Sequence, residues 1–490
     1  MKKLSGIVVI IVIFGVSIYL ITQIPRSPKE SLGITDDSNP GAVNTEEWLG
    51  VFLQGQRIGY SFTKISESDT GFTVENRSKM TLLMMNETRT LTTRLFAHTD
   101  KDYTLKDFVI EIETAGHSTK VEGEIKGKNL ILTAYSQGTS YTRTIALKEK
   151  PYFPEALEQV IKKKRLKPGD ELTIPYFDPT TQSSTSATLK VFDKEEVEVV
   201  GKKTAGTRIE LEYLGMKSLF WIDDDYNFIK QATPAIGLEM IPITKEQALV
   251  DIQPTEAFDL LSFFAVKPDK RIPPPDKLSY LKIALKNISI EGLNLNDDYQ
   301  KMTVQEPVII ESFLADINEL PEINLPIKEQ SEFLKPSVYI QCEDPRIIAK
   351  AREFVGGETE AKKAVAKLVQ GVYHFLKKNP IASLPSAVDV LKTREGDCNE
   401  HAILFAALAR AEGIPTKIYA GLINLQGAGY YYHAWCGVWL GKWVPVDPTF
   451  NQFPADVGHL KLIEGEISEQ AKVLKVVGKL EISILDYTER

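Results

Sequence analysis

The hydrophobic pattern changes period partway along this chain, and no other feature constrains its fold as much. From Trp48 to about Pro254 apolar residues recur mostly at every second position, with Gly, Asn and Asp between the runs. That spacing belongs to half-buried β-strands. After Cys342-Glu-Asp-Pro the period becomes helical. Between the two lies Lys267-Pro-Asp-Lys-Arg-Ile-Pro-Pro-Pro-Asp276, whose four prolines in ten residues interrupt either pattern. A chain of 490 residues is in any case too long for one core. The expected fold class is α+β. An antiparallel β-rich domain spans 46–262, a Pro-rich boundary with connecting strands spans 263–336, and a helix-containing domain spans 337–490.

Within the first domain, Val51–Phe62 reads as a hairpin turning at Gln54-Gly55. Further strands are expected over Phe72–Met85, Leu91–Phe96, Phe108–Thr114, Asn129–Tyr135, Ala187–Phe192, Ile209–Tyr213 and Leu219–Ile222. A single helix near Pro154–Arg165 interrupts them. Its basic end, Ile161-Lys-Lys-Lys-Arg-Leu-Lys167, suits a helix C-terminus, where cations complement the dipole. His98 and His117 read as surface residues, and no catalytic cluster is evident there. Net charge is −8, which gives no electrostatic reason for a nucleic-acid partner.

The N-terminus carries Lys2 and Lys3, then the uncharged Leu4–Ile21, then Pro25 and Arg26. That length is at the short end of a membrane span. A cleaved signal peptide is the alternative, but no Ala-x-Ala-like site follows the apolar run. The expectation is a transmembrane anchor or signal over 1–26, contacting the membrane through residues 4–24, followed by a flexible linker over 27–45. The short basic start stays in the cytoplasm and places the bulk of the chain outside it, in the periplasm or at the cell surface.

Three cysteines, Cys342, Cys398 and Cys436, are too few for a disulfide framework. Cys398 stands out by position. Asp397 precedes it and Glu400 lies three residues after Asp397, a capping-box signal for a helix start. Ala402, Phe405, Leu408 and Ala409 supply one buried stripe, and Gly413 with Pro415 marks the end. Helices are also expected over Arg346–Phe354, Glu358–Lys378, broken at Pro380 and Pro385, and Pro385–Leu391. In the first turn of its helix a thiol is favoured to ionise. A lone cysteine can equally be a small buried hydrophobe.

Two strands follow, Tyr430–Leu440 and Lys442–Asp447, turning at Gly441. With a three-residue loop Trp439-Leu440-Gly441, Val438 faces Lys442 and His433 faces Asp447. A two-residue loop, Gly441-Lys442, sets Cys436 opposite Asp447 instead. The first register pairs an imidazole with a carboxylate that can orient it. Cys398, His433 and Asp447 then supply nucleophile, base and orienting acid. The spacings Cys398-x-x-His401 and His433-x-x-Cys436 also suggest zinc. On a strand, however, His433 and Cys436 point to opposite faces, so they cannot share one ion. His401 is expected near the helix start and Cys436 behind the sheet.

The segments Gly396-Asp-Cys-Asn-Glu-His-Ala402, Leu408–Pro415, His433-Ala-Trp435 and Trp443-Val-Pro-Val-Asp-Pro-Thr449 together resemble the transglutaminase-like superfamily, a branch of the papain-like thiol enzymes. The likeness runs from about Ser337 to Leu462. It implies a papain-like core, a nucleophile helix packed on an antiparallel sheet, and Cys398, His433 and Asp447 as the catalytic set. Many members carry a Trp or similar group upstream that stabilises the oxyanion. Here Tyr373 is the candidate side chain and the Cys398 N–H the candidate backbone donor. Tyr432 and Trp435 are candidates for lining the substrate cleft. The function implied is that of a membrane-anchored cysteine acyltransferase or amide hydrolase acting on a protein or peptide, with no cofactor and no metal. The alternative is a non-catalytic binding or scaffold protein of the cell envelope.

Overall fold

The structure, a computed structural model, describes residues 44–490 except 85–86, 115–116, 137–138, 181, 253–264 and 380–385. The apolar stretch Leu4–Ile21, nearly all of the expected linker, and Pro380 and Pro385 lie outside these residues. Among the described residues no helix is long and apolar enough to cross a membrane. Contacts divide the chain into two units: one within residues 44–258 apart from 136–141, the other made by 259–490 with 136–141.

A fourteen-stranded sheet dominates the N-terminal half. Its strands are β1 (Asn44–Leu53), β2 (Gln56–Ser68), β3 (Gly71–Met84), β4 (Glu87–Thr99), β5 (Leu105–Thr114), β6 (His117–Lys126), β7 (Asn129–Ser136), β8 (Thr139–Ala146), β9 (Glu171–Asp178), β10 (Ser183–Val199), β11 (Lys202–Tyr213), β12 (Met216–Ile222), β13 (Phe228–Thr233) and β14 (Leu238–Pro242). They run in the order β8 back to β1, then β14 back to β9. Gln54 and Gly55 both take positive φ, 51° and 78°, so the first hairpin closes through the primed type of turn that matches strand twist. Alternation is visible strand by strand: β5 buries Leu105, Phe108, Ile110 and Ile112. Each such side chain contributes roughly 1.5–3 kcal/mol on burial. The expected helix is α1 (Leu157–Lys164), with a 3-10 turn at Pro154–Ala156 before it. Lys163 at its basic end lies 2.7 Å from Asp102. His98 is half-exposed and bonds Asp107 at 2.6 Å. A short α2 (Lys245–Ala248) carries a Thr244–Gln247 capping box.

The C-terminal unit contains two four-stranded sheets. In one, β15 (Leu278–Lys286) lies between β17 (Val308–Phe313) and β24 (Glu481–Glu489), with β16 (Gln300–Thr303) outside β17. The strands expected in the connecting stretch 263–336 are therefore completed by the last strand of the chain. No local pattern announces a partner about two hundred residues away.

The helices are α3 (Pro345–Val355), α4 (Ala361–Phe375), α5 (Ala387–Thr393), α6 (Cys398–Ala411) and the short α7 (Ile467–Gln470). After α4 the chain does not stay helical to Lys378. Residues β18 (Lys377–Lys378) pair in parallel with β19 (Glu395–Gly396), and Asn379 N–H donates to the Gly396 carbonyl at 3.0 Å. That small ladder ties the end of α4 to the entry of α6. The second sheet has the order β22-β21-β20-β23, from β20 (Thr416–Leu425), β21 (Gly429–Trp439), β22 (Trp443–Val446) and β23 (His459–Glu464).

Candidate active site

The helix that carries Cys398 starts as its residues dictate. Asp397 accepts the Asn399 N–H at 3.1 Å, and Glu400 accepts the Asp397 N–H at 2.8 Å, closing the box. Gly396 is required before it: a Cβ there would stand 2.2 Å from the Glu400 Cβ. The single apolar stripe read from the sequence understates the helix. Every residue from Cys398 to Ala409 is buried. Helices α3, α4 and α5 pack on it together with β20 and β21. Small side chains at Ala402, Ala406, Ala407 and Ala409 let those neighbours approach on several sides.

The hairpin register differs from both expected alternatives. Trp439 pairs Trp443 and Cys436 pairs Val446, so the loop is Leu440-Gly441-Lys442, with Gly441 at φ 81°. The preferred register is off by two residues. A shift of two preserves the face, whereas the Gly441-Lys442 alternative, off by one, would have reversed it. Asp447 follows the last paired residue of β22 and meets His433 diagonally. His433 Nε2 lies 2.8 Å from Asp447 Oδ2, and both side chains are fully buried. Beyond Val446 the ladder stops, and the Ala434 N–H is donated to the Cys398 sulfur. The thiol thus lies at the peptide that joins His433 to Ala434. His433 Nδ1 is buried and has no hydrogen-bond partner among the described residues.

Burial pushes the Cys398 thiol well above its ordinary range, and the Asp397 charge adds to this; the Ala434 N–H works against both. The helix-terminus expectation of an easily formed thiolate is therefore overridden by desolvation. Burial also lowers His433, outweighing the attraction of Asp447. Both shifts favour the neutral forms, thiol and imidazole. With Nε2–H donating to Asp447, the lone pair sits on Nδ1. Burial opposes the Asp447 charge, but His433 and His459 outweigh it, holding this carboxyl far below its usual range. At the cap, burial pushes up both Asp397 and Glu400; the Glu400 charge adds to the rise at Asp397, whereas hydrogen bonds from Asp397 work against the rise at Glu400.

The other expected residues are dispersed around this cluster. Trp435 stacks on His433 with centroids 5.9 Å apart. Tyr432 is enclosed and, one position away on β21, faces the other side of the strand. Tyr373 is half-buried, its ring 4.6 Å from Lys378 Nζ. That ammonium lies 5.6 Å from the Phe450 ring, which in turn is 5.5 Å from the imidazole of His433. Tyr373 is thus linked to His433 through Lys378 and Phe450. His401 bonds the Asp397 carbonyl through Nδ1 at 2.5 Å. The Cys436 thiol donates to the Ala402 carbonyl at 3.4 Å, away from Asp447.

His459 escaped the sequence reading. Its Nε2 lies 3.0 Å from the same Asp447 Oδ2, and its Nδ1 lies 3.2 Å from Asp456 Oδ1. The available signal was Asp456-Val-Gly-His459 opening an alternating run, in a chain with only six histidines. His433, Asp447 and His459 could offer metal ligands within 4.8 Å of one another. Here both imidazoles instead donate to the shared carboxylate oxygen, which accounts for both Nε2 atoms without an ion.

A family model described as the transglutaminase-like superfamily matches residues 348–448. A protein-glutamine gamma-glutamyltransferase of Pseudomonas aeruginosa is 32% identical over 127 residues, covering 23% of this chain and 19% of that relative. Among solved structures, a candidate cysteine protease from Cytophaga hutchinsonii aligns with 44% of this chain and 86% of its own, at 16% identity and a TM-score of 0.26. A beta-barrel-like protein of a domain of unknown function from Brucella abortus aligns with 41% of this chain and 96% of its own, at 12% identity and a TM-score of 0.32. Neither structural likeness is close enough to carry an argument. The helix, the hairpin and the family match coincide in sequence, and the C-terminal region of this chain contains a domain of the transglutaminase-like superfamily.

Proposed function

We propose that this chain is a membrane-anchored, extracytoplasmic thiol enzyme that transfers acyl groups from amides. The observation that carries the reading is the buried Asp447–His433 pair, its Nδ1 open, with the Cys398 sulfur at the next peptide. His433 Nδ1 takes the thiol proton as sulfur attacks the amide carbonyl carbon. The C–N bond breaks, and the leaving amine takes the proton from His433. A Cys398 thioester remains. Water or a second amine then attacks that thioester, giving up its proton to His433, and the Cys398 thiol is regenerated. The Cys398 N–H, at the first turn of α6, is the proposed oxyanion donor, with Tyr373 the candidate side chain. The glutamyl transfer named for the Pseudomonas relative supports a Gln side chain as the acyl donor.

Incubating the soluble part, residues 27–490, with a Gln-containing protein and a tagged amine tests the reading. Mass spectrometry separates amine incorporation, deamidation and peptide cleavage. Any of these, lost in Cys398→Ala, supports an enzyme. None of them, across several protein substrates, leaves a non-catalytic envelope module. For the anchor, the full chain should stay with membranes through alkaline extraction and residues 27–490 should not.

A further inference from the structure

Asp447 is unusually crowded for a residue whose expected task is to hold one imidazole. Its Oδ1 accepts the Thr449 and Phe450 N–H groups at 2.7 and 3.3 Å. Its Oδ2 accepts from His433 at 2.8 Å and from His459 at 3.0 Å. The far side of His459 is equally engaged: Nδ1 lies 3.1 Å from the Asp456 carbonyl and 3.2 Å from Asp456 Oδ1. Asp456 is itself fixed by the Gly458 N–H at 2.9 Å and by the Gln452 side chain at 2.8 Å. Gln452 closes the arrangement by exchanging backbone hydrogen bonds with Asp447, both at 2.9 Å.

His459 reaches this place from a different strand pair. It opens β23 and pairs with Ile423 of β20, while His433 pairs with Gly421 on the other edge of β20. Gly421 has no side chain on the face these histidines share, so the rings can lean over β20 toward each other. Their centroids are 5.8 Å apart, and the His459 ring meets Trp435 edge-on at 5.1 Å.

We propose that His459 is a positioning residue of the thiol site: a doubly held imidazolium, between Asp447 and Asp456, that partly neutralises Asp447 and so restrains the basicity of His433. This rests on the reading of His433 as the base for Cys398. A ring with a carboxylate on each nitrogen is held as the cation, because both nitrogens must donate. Burial opposes that charge, but Asp447 and Asp456 outweigh it and push His459 up to about 10. Its charge in turn lowers His433, whose other charged neighbours are Asp447 and Asp456. The thiol faces Asp397, Glu400 and Asp447. His401, on the same helix, faces Asp447, Lys378 and His433. Without the His459 charge the pull of Asp447 on His433 is opposed by burial but no longer by a neighbouring cation, and protonation of His433 sets in at higher pH.

The test is iodoacetamide alkylation of Cys398 across pH in the full chain, in the unaltered protein, His433→Ala and His459→Gln. Glutamine keeps a donor for Asp447 and removes the charge. The acid limb of the rate profile should move up by roughly one pH unit in His459→Gln. A role confined to folding would lower the reactive fraction and leave the limb in place. If His433→Ala slows alkylation but the limb does not move in His459→Gln, the His459 proposal is overturned and the enzyme reading stands. If His433→Ala changes nothing, the base assignment falls and takes this proposal with it. Ring 15N shifts of the unaltered protein provide a check that needs no variant. His459 should show two protonated nitrogens at pH 8, and a singly protonated ring there overturns the proposal.

Discussion

Asp447 shows how one buried carboxylate can set the protonation of everything around it. Removing it by Asp447→Ala leaves a charged His459 without its main partner and His433 without an orienting acceptor. Breaking a buried pair in this way costs about 3–5 kcal/mol, so calorimetry should show a clear fall in Tm along with loss of activity. His433→Ala should slow acyl transfer roughly 10²–10⁴-fold, the usual weight of general base catalysis, with a smaller change in Tm. Stability should also depend on pH through His459. The folded protein keeps its proton up to about 10, whereas the unfolded chain releases it near 6.5. This contribution is therefore complete below 6.5 and is lost as pH rises toward 10. Chemical denaturation of the unaltered protein should show that decline, and His459→Gln should flatten it. His401 acts in the opposite sense, because burial lowers it to about 4. The unfolded chain takes up that proton first, so stability falls as pH drops from 6.5 toward 4.

At the scale of elements, two glycines place the site, and each offers a clean test. Gly396→Ala drives a Cβ into Glu400, which should open the capping box and displace Cys398. Gly421→Ala puts a Cβ 2.0 Å from the Leu460 carbonyl oxygen, so β23 must move away from β20 and take His459 with it. We expect a loss on the order of 2–3 kcal/mol for each, and alkylation in Gly421→Ala should follow the His459→Gln profile. The capping box, the Gln54-Gly55 turn and the long amphipathic α4 were legible because each depends on residues within one turn or one hairpin. The register at Gly441 was not. Both expected loops satisfy the glycine, and the observed one is chosen by packing, including the edge-on contact of Trp439 and Trp443 at 5.4 Å. The pairing of His433 with Asp447 survived this error because β-strand side chains repeat every two residues.

For the whole molecule, Cys398, His433, Asp447, Asp456 and His459, with the candidate Tyr373, all lie within the C-terminal unit. Residues 265–490 expressed alone should keep His433-dependent alkylation of Cys398, measured by labelling at pH 6. An unreactive but folded fragment would mean that the β-rich half contributes to the thiol's reactivity. Local sequence was enough to show that a cysteine begins a capped helix, that a histidine and an aspartate share one hairpin, and that a strand-rich half precedes them. Those features are local, written in periods of two and 3.6 and in turn residues. Charge states depend instead on the fold around these groups. Burial on every side of α6 favours the neutral Cys398 thiol, and β23, crossing to the far edge of β20, delivers His459 to Asp447. Desolvation and long-range strand pairing depend on neighbours that no short window of sequence contains.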